Sequence, residues 1–460
     1  MCLKDLILTI DMTNNSFHLD VATLSDITQQ LIAMSLKKGA TACDAEVSEG
    51  SGLTVTVRLG QIEMLEYHQD KNFTVTVYIG KRRGQASSSD FSVQALSQAV
   101  DIALDIARFT AQDDFSGLIE SSMLCQSFID LDLFSPWSIN VDQAVALAKT
   151  CERAGQDVSA KIVNSDGATL STQTHQFIYA NSLGFCAGYP TSCHRILASF
   201  IAEQNGAMQT DSWMSVASCP DELDSAEQVG KIAGNRTIER LGAKQIKTGQ
   251  YPVLFASPVS NTLMAYLVEA LSGDKLYRQS SFLLDSLGMQ LMPSWMNLVE
   301  DPFVLRGLGS CPFDAEGSTV KKRLIIEKGY VAGYFLDSYA ARRLNMKSTG
   351  NAGGSHNIVL QHSHATLDEL IQEIAQGVIV TELMGDGVNL VTGDYSQGAV
   401  GFWIEKGKIA YPIQEITIAG NLRQMLHDII AVANDAVIWG SQCVGSILIK
   451  SMTVAGKNNI

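Results

Sequence analysis

Apolar positions recur along this chain in two rhythms, one near 3.6 residues and one of two, and they alternate between regions. The helical rhythm appears first in Leu24, Ile27, Leu31 and Ile32, a face that closes at Gly39. It returns after Ser92, where Val93, Leu96, Val100, Ala103, Leu104 and Ala107 share one side of a run to about Phe109. Asn140-x-x-Gln143 is a capping box opening a helix to about Ala154, and another helix is expected from Pro220 to about Leu241, ending at Gly242. Alternation with Val and Thr marks strands at Leu53–Leu59, Ile62–Tyr67 and Phe73–Ile79, expected to pair as an antiparallel meander, with Ala86–Ser89 a further edge. Ala160–Asn164, Thr169–Thr172, Gln176–Ala180 and Ile196–Glu203 read as strands separated by Asp166-Gly167 and Asn181–Gly184 turns.

Beyond a polar segment at Ala243–Gly249 the composition shifts toward glycine and strand formers. Strands are expected at Tyr251–Phe255, Arg323–Glu327, Gly329–Leu336, Asn357–Gln361, Gly377–Leu383, Gly387–Thr392, Gly398–Glu405, Lys408–Ile413 and Ser446–Met452, with one clear late helix at about Leu422–Ala433. The fold class is therefore α+β. Residues 1–243 form antiparallel sheets with packed helices, and residues 244–460 a β-rich, barrel-like domain whose glycines permit bends.

Between Tyr251–Phe255 and these later strands lies Ser257–Asp274, read as a core-facing helix. Ser257 is placed to cap it, Pro258 suits the first helical position, and Val259, Leu263, Leu267 and Leu271 recur at four-residue steps. Gly273 is expected to end it in the left-handed conformation, and Glu269 is the ionisable side chain inside it.

Composition narrows the function. A chain of 460 residues, 46% apolar and 18% charged, is a well-packed protein expected to divide into two domains. Its net charge of −15 repels phosphate backbones, and the short basic runs Lys81-Arg82-Arg83-Gly84 and Lys321-Lys322-Arg323 read as solvated turns, so direct nucleic-acid binding is not expected. Nine scattered cysteines without a C-x-x-C pair suit a reducing cytoplasm. The first twenty residues lack periodicity. The apolar piece Leu6–Ile10 lacks a signal peptide's basic start, and no apolar run reaches membrane-spanning length.

The familiar catalytic signatures are missing. Neither Gly350–Gly354 nor Gly385-Asp386-Gly387 has phosphate-loop spacing, and Asp394 stands at the first glycine position of a G-x-S-x-G elbow around Ser396. His362 and His364 are close together in a polar linker, and no H-E-x-x-H or H-E-x-x-x-H occurs. What remains is the polar, glycine-flanked run Asn389–Trp403. Asn389, Thr392, Gly393, Asp394, Tyr395 and Ser396 are candidates for a rim that hydrogen-bonds an extended peptide, against the plainer reading of a structural hairpin.

Several stretches together, among them LTVTVRLGQIEMLEYHQDK, LYRQSSFLLDSLG, EDPFVLRGLGSCPFDAEG, DSYAARRLNMKSTGNAGG and TELMGDGVNLVTGDYSQGAVGFWIEKGKIAYPIQEITIAGNL, resemble the TldD/PmbA family of bacterial peptidases, in its PmbA (TldE) branch, from about residue 30 to 456. The resemblance implies an N-terminal α/β domain, a β-rich C-terminal domain, and pairing with a TldD-type subunit in a zinc-dependent protease. Its substrates would be unfolded or flexible peptides such as antitoxins and microcin precursors. In TldD-type chains the helix matching Pro258–Asp274 carries H-E-x-x-x-H, and here Met264, Ala265 and Glu269 stand at those three positions. The third ligand, a late cysteine, would fall near Ala431–Asp435, where this sequence has none. The resemblance thus implies no catalytic or metal-binding residue in this chain and zinc in the partner subunit. A homodimer is an alternative assembly. Two competing readings are an autonomous metallopeptidase using Glu269 with His362 and His364 or Cys443, and a regulator acting indirectly on DNA gyrase or RNA.

Overall fold

The structure, a computed structural model, describes residues 17–363 and 365–456. Cys2, the apolar piece Leu6–Ile10 and His364 lie outside the described residues.

The N-terminal part runs α1 (Val21–Lys37), β1 (Ala42–Arg58), β2 (Gln61–Ile79), β3 (Arg82–Ser88), α2 (Val93–Phe109), α3 (Val141–Gln156), β4 (Ile162–Asn181), β5 (Cys186–Ala187), β6 (Pro190–Gln204), β7 (Ala207–Ala217) and α4 (Ala226–Glu239). Its strands form one antiparallel sheet in the order β3-β2-β1-β4-β6-β7, with β5 on β4. One end is covered by α1 and α2 through Leu24, Phe73, Val100 and Leu104. The other is covered by α3 and α4 through Val55, Leu170, Phe200 and Val229.

The helix starts follow the capping rules. Ser92 accepts from the Ala95 N–H, and Asn140 with Gln143 forms both halves of its capping box. The strands are longer than the sequence pattern implies. Ile62–Tyr67 and Phe73–Ile79 belong to the single strand β2, and Asp70, Lys71 and Asn72, taken as a turn, pair with Gly50, Glu49 and Ser48 of β1. Likewise Ala160–Asn164, Thr169–Thr172 and Gln176–Ala180 fall on or at the start of β4, where Asp166-Gly167 is a bulge and not a turn, with Gly167 at φ +106°. The turn near Lys81 lies at Gly80-Lys81, so Arg82 and Arg83 stand on β3. Pro220 opens a single 3₁₀ turn, and α4 starts afresh after Ser225.

The C-terminal part contains β8 (Gly249–Phe255), α5 (Ser257–Ala270), α6 (Gly273–Tyr277), β9 (Leu298–Asp301), β10 (Arg323–Glu327), β11 (Tyr330–Val331), α7 (Ser338–Arg343), β12 (Asn357–Leu360), α8 (Leu367–Gln372), β13 (Gln376–Met384), β14 (Val388–Asn389), β15 (Asp394–Glu405), β16 (Lys408–Asn421), α9 (Leu422–His427), β17 (Ile429–Val432), β18 (Gln442–Cys443) and β19 (Ile447–Ala455). Strands β13, β8, β19, β16 and β15 form a path that closes on itself, because β15 also pairs with β13: a five-stranded barrel. Helix α5 packs on this barrel through Leu263, Met264 and Leu267 in one core with Val253, Val380, Ile418 and Val454. A second sheet, in the order β11-β10-β9-β12-β18, lies outside the barrel and ends in β18. The late helix is shorter than expected: α9 stops at His427, and Ile429–Val432 is the strand β17 on β19. Lys321-Lys322-Arg323 is not simply a solvated turn, since Arg323 reaches into the protein to Glu300 at 2.7 Å.

The two parts are bolted together. Arg342 on α7 donates to the carbonyls of Phe115, Gly117 and Leu118, and Arg240, which caps the C-terminal end of α4, pairs with Asp211 and with Glu382 of β13. Phe128, Phe185 and Phe313 meet edge to face across the same boundary. Among the described residues no helix is long and apolar enough to cross a membrane.

Candidate functional site

The geometry of α5 departs from the sequence reading at both ends. Ser257 does not cap the helix; Ala256 holds that position. The Ser257 N–H donates to Ser446 Oγ at 3.0 Å, its hydroxyl donates to the Val444 carbonyl at 2.8 Å, and it accepts from the Val437 N–H at 2.7 Å. Its hydroxyl is therefore spent on fixing the segment 437–446. Gly273 does not end α5 in a left-handed conformation. It begins α6, and a Cβ there would run into the Ala340 methyl group, so close packing is what requires glycine.

Of the three positions that the family motif would occupy, Met264 is fully buried in the barrel core, whereas Ala265 and Glu269 are exposed. Glu269 pairs with Lys275 Nζ at 2.9 Å. Methionine facing the core, a methyl group and a carboxylate already held by an ammonium do not make a catalytic zinc site, so these residues do not fit the metal. Near the expected third ligand, Asp435 accepts from the Ser446 N–H at 2.7 Å and from the Ser446 hydroxyl at 2.6 Å. Among the described residues of the autonomous reading, Glu269, His362 and Cys443 are not gathered into a metal-holding group either. Cys443 lies on β18, where burial pushes its thiol up, and His362 lies between β12 and α8. Among the described residues, no group of three or more His, Cys, Asp or Glu side chains is arranged to hold a metal ion.

The run Asn389–Ser396 forms a closed turn between β14 and β15. Asn389 Oδ1 accepts from the Val391 N–H at 2.9 Å, the Thr392 hydroxyl donates to Asp394 Oδ2 at 2.7 Å, and Gly393 takes φ +81°. Asn421 Nδ2 donates to the Thr392 carbonyl at 3.1 Å. Tyr395 is buried and donates to Gln397, which in turn donates to the Tyr266 hydroxyl on α5 at 2.9 Å. Asp394 and Ser396 remain at the surface.

Two further features had no continuous sequence signal. Glu300 on β9, completely buried, accepts from Arg323 Nε at 2.7 Å, Asn351 Nδ2 at 2.7 Å and the His356 N–H at 3.0 Å, and meets His356 Nδ1 at 2.8 Å. The second is a cleft of about 500 Å³ between the two parts of the molecule. One wall is Trp213–Ala217 of β7; the other is the loop 304–308 and the segment 436–443 that Ser257 fixes. Its walls come from segments some 90 and 130 residues apart, so periodicity along any one of them could not reveal it.

Comparison with known proteins places this architecture. Three family models match in succession: PmbA/TldA metallopeptidase domain 1 over residues 43–107, the central domain over 134–241 and the C-terminal domain over 248–456. The fold and these matches define a member of a metallopeptidase family; more particularly, the chain belongs to the PmbA/TldD family and is of the PmbA type. It is 40% identical to Metalloprotease PmbA of Escherichia coli O157:H7, covering 92% of this chain and 95% of that one. It is 39% identical to the Metalloprotease PmbA homolog of Haemophilus influenzae, covering 92% and 94%. Among crystal structures, it resembles TldE from Thermococcus kodakarensis with TM-score 0.83 and 20% identity, covering 94% of this chain and 100% of that one. A candidate modulator of DNA gyrase from Bacteroides thetaiotaomicron gives TM-score 0.89 at 24% identity, covering 94% and 98%.

Proposed function

We propose that this chain is the non-metal subunit of a heterodimeric zinc protease. It would act in the cytoplasm, pair with a TldD-type subunit that carries the zinc, and hold unfolded or flexible peptide, of the antitoxin or microcin-precursor class, while the partner cuts. The two domains meet in this reading near residue 243. The observation that carries it is helix α5: it keeps its place on the barrel while Met264 points into the core and Glu269 is held by Lys275. A chain with such a helix cannot generate a metal-bound water by the family's route. The surface turn at Asn389–Ser396 takes part through the outward Ser396 hydroxyl, since its other polar groups are largely engaged within the turn.

Co-expression with the TldD-type chain of the same cell tests this. The two should co-purify, cleave an unfolded peptide together, and show zinc in the partner alone. Cleavage by this chain by itself, with one equivalent of zinc lost on Glu269→Ala, would overturn the reading.

A further inference from the structure

The cleft between β7 and the segment 436–443 is bounded by two open sheet edges. β7 is the last strand of the N-terminal sheet, and β18 is the last strand of the outer C-terminal sheet. On β7 the Met214 carbonyl turns outward and accepts from Trp439 Nε1 at 2.9 Å. Backbone direction alternates along a strand, so Val216, two residues on, turns its N–H and carbonyl to that same side, where it lines the cleft. On β18 the Ser441 carbonyl accepts from the Ile358 N–H at 2.7 Å, which points Ser441 toward β12 and leaves the Gln442 backbone facing away from it.

Side chains complete the pattern. Trp213 Nε1, a donor, and Gln442 Oε1, an acceptor, are both buried without a hydrogen-bond partner, and both residues line this cleft. Such orphaned groups cost on the order of 1–3 kcal/mol each unless something satisfies them. Around them, beside the charged Glu222, Asp224 and Arg306, the walls carry apolar side chains: Leu305 and Ile438 are 68% and 53% exposed, and Trp213 stands edge to face with Trp439 at 4.9 Å.

We infer that this cleft binds an extended peptide segment with apolar side chains, its backbone running along these edges. Each peptide unit carries one carbonyl and one N–H, the two complements that Trp213 Nε1 and Gln442 Oε1 lack. Alternate side chains of the segment fall against Leu305 and Ile438. The inference rests on the reading of the chain as a peptide-holding subunit and names where the peptide lies.

The test uses the full chain alone and a blocked peptide of alternating leucine and serine, followed by calorimetry and by tryptophan fluorescence. The wild-type chain should bind and shift the tryptophan emission. Trp213→Phe, which keeps an aromatic ring and removes the donor, and Gln442→Leu should each weaken binding about fivefold, the equivalent of about 1 kcal/mol. Leu305→Glu, at an exposed position, should weaken it further with an unchanged melting temperature. Phe109→Ala, at the exposed end of α2 and outside the cleft, should bind as wild type. No binding by the wild-type chain, or equal binding by all three cleft variants, overturns the inference. Because cleavage by the co-purified pair is measured separately, the cleft can fail while the subunit assignment stands.

Discussion

Met264 and Glu269, five positions apart on α5, lie on different sides of the helix: the methionine is completely buried, and the glutamate meets Lys275 Nζ at 2.9 Å at the surface. Five residues at about 100° each leave them roughly 140° apart, which matches these two environments.

Their substitutions should therefore differ sharply. Met264→Ala removes a core side chain and should cost about 2–5 kcal/mol in urea unfolding. Glu269→Ala breaks an exposed ion pair and should cost less than about 1 kcal/mol. Neither should change the response of the melting temperature to a chelator. A chelator-dependent drop in wild type that Glu269→Ala removes would restore Glu269 as a ligand.

The helix bodies were legible because their information is local. Ser92, Asn140 and Gln143 cap with their own side chains, and their apolar faces are continuous. Ser257 looked the same but failed as a cap, because segment 437–446, nearly two hundred residues away, competes for its hydroxyl. The long strands escape a local reading for a related reason. Asp70-Lys71-Asn72 has turn chemistry, but β1 offers an unbroken partner, and pairing along its whole length overrides the local preference. The barrel was visible as many glycine-bounded strands, while its closure through β13 and β15 was not. Within the candidate site, Met264, Ala265 and Glu269 are singled out only by family resemblance, because nothing local distinguishes them from an ordinary helix. The interdomain cleft has no linear signature at all.

Glu300 should prove the most sensitive buried charge. Burial pushes its carboxyl up, but the His356 hydrogen bond and the charge of Arg323 push it down further, leaving it below the ordinary glutamate range. A depressed folded value gives stability that is present above the unfolded pKa and lost as pH falls through the folded one. Glu300→Gln should remove that acid-side loss. It should also cost about 3–5 kcal/mol at neutral pH, because Arg323 is left largely buried without its counter-charge. Chemical denaturation from neutral to acid pH checks both effects.

The opposite sign is expected at another place between the domains. Asp44 and Glu316 line one cleft with Tyr78, Tyr179, Arg83 and Arg342, and burial pushes each carboxyl up to about 7. The Thr76 hydrogen bond on Asp44 and the Ser338 hydrogen bond on Glu316 offset this only in part. A raised folded value gives stability that is full below the unfolded pKa, near 4, and is lost as pH rises toward about 7. Wild-type protein should therefore lose stability over that interval relative to an Asp44→Asn/Glu316→Gln double variant. Parallel curves for the two proteins would show that neither carboxyl titrates there.

Gly84 closes the run Lys81-Arg82-Arg83-Gly84, whose composition pointed to a turn. In the fold it sits on β3, opposite Val77 of β2, with helix α2 lying directly across it. A Cβ built at Gly84 would land on the Ala103 carbonyl and crowd the Ala107 N–H at 2.6 Å, both of them helix backbone that cannot rotate aside. Its glycine thus serves close helix–sheet approach, not a left-handed turn. Gly84→Ala should push α2 off the sheet and disturb the contacts of Val100, Ala103 and Leu104, at a cost of about 1–3 kcal/mol. Gly80, at φ +62° with open space around it, should respond by a different route. Alanine there meets no neighbouring atom, and its cost is the strain of a Cβ against its own backbone carbonyl in the left-handed region, about 1–2 kcal/mol. Unfolding of the two variants separates these causes: shortening a residue of α2 against Gly84→Ala, as in Ala103→Gly, should leave the Gly84 penalty in place because the clash is with backbone. Recovery in that double variant would mean that side-chain crowding, not the carbonyl, sets the spacing between α2 and β3.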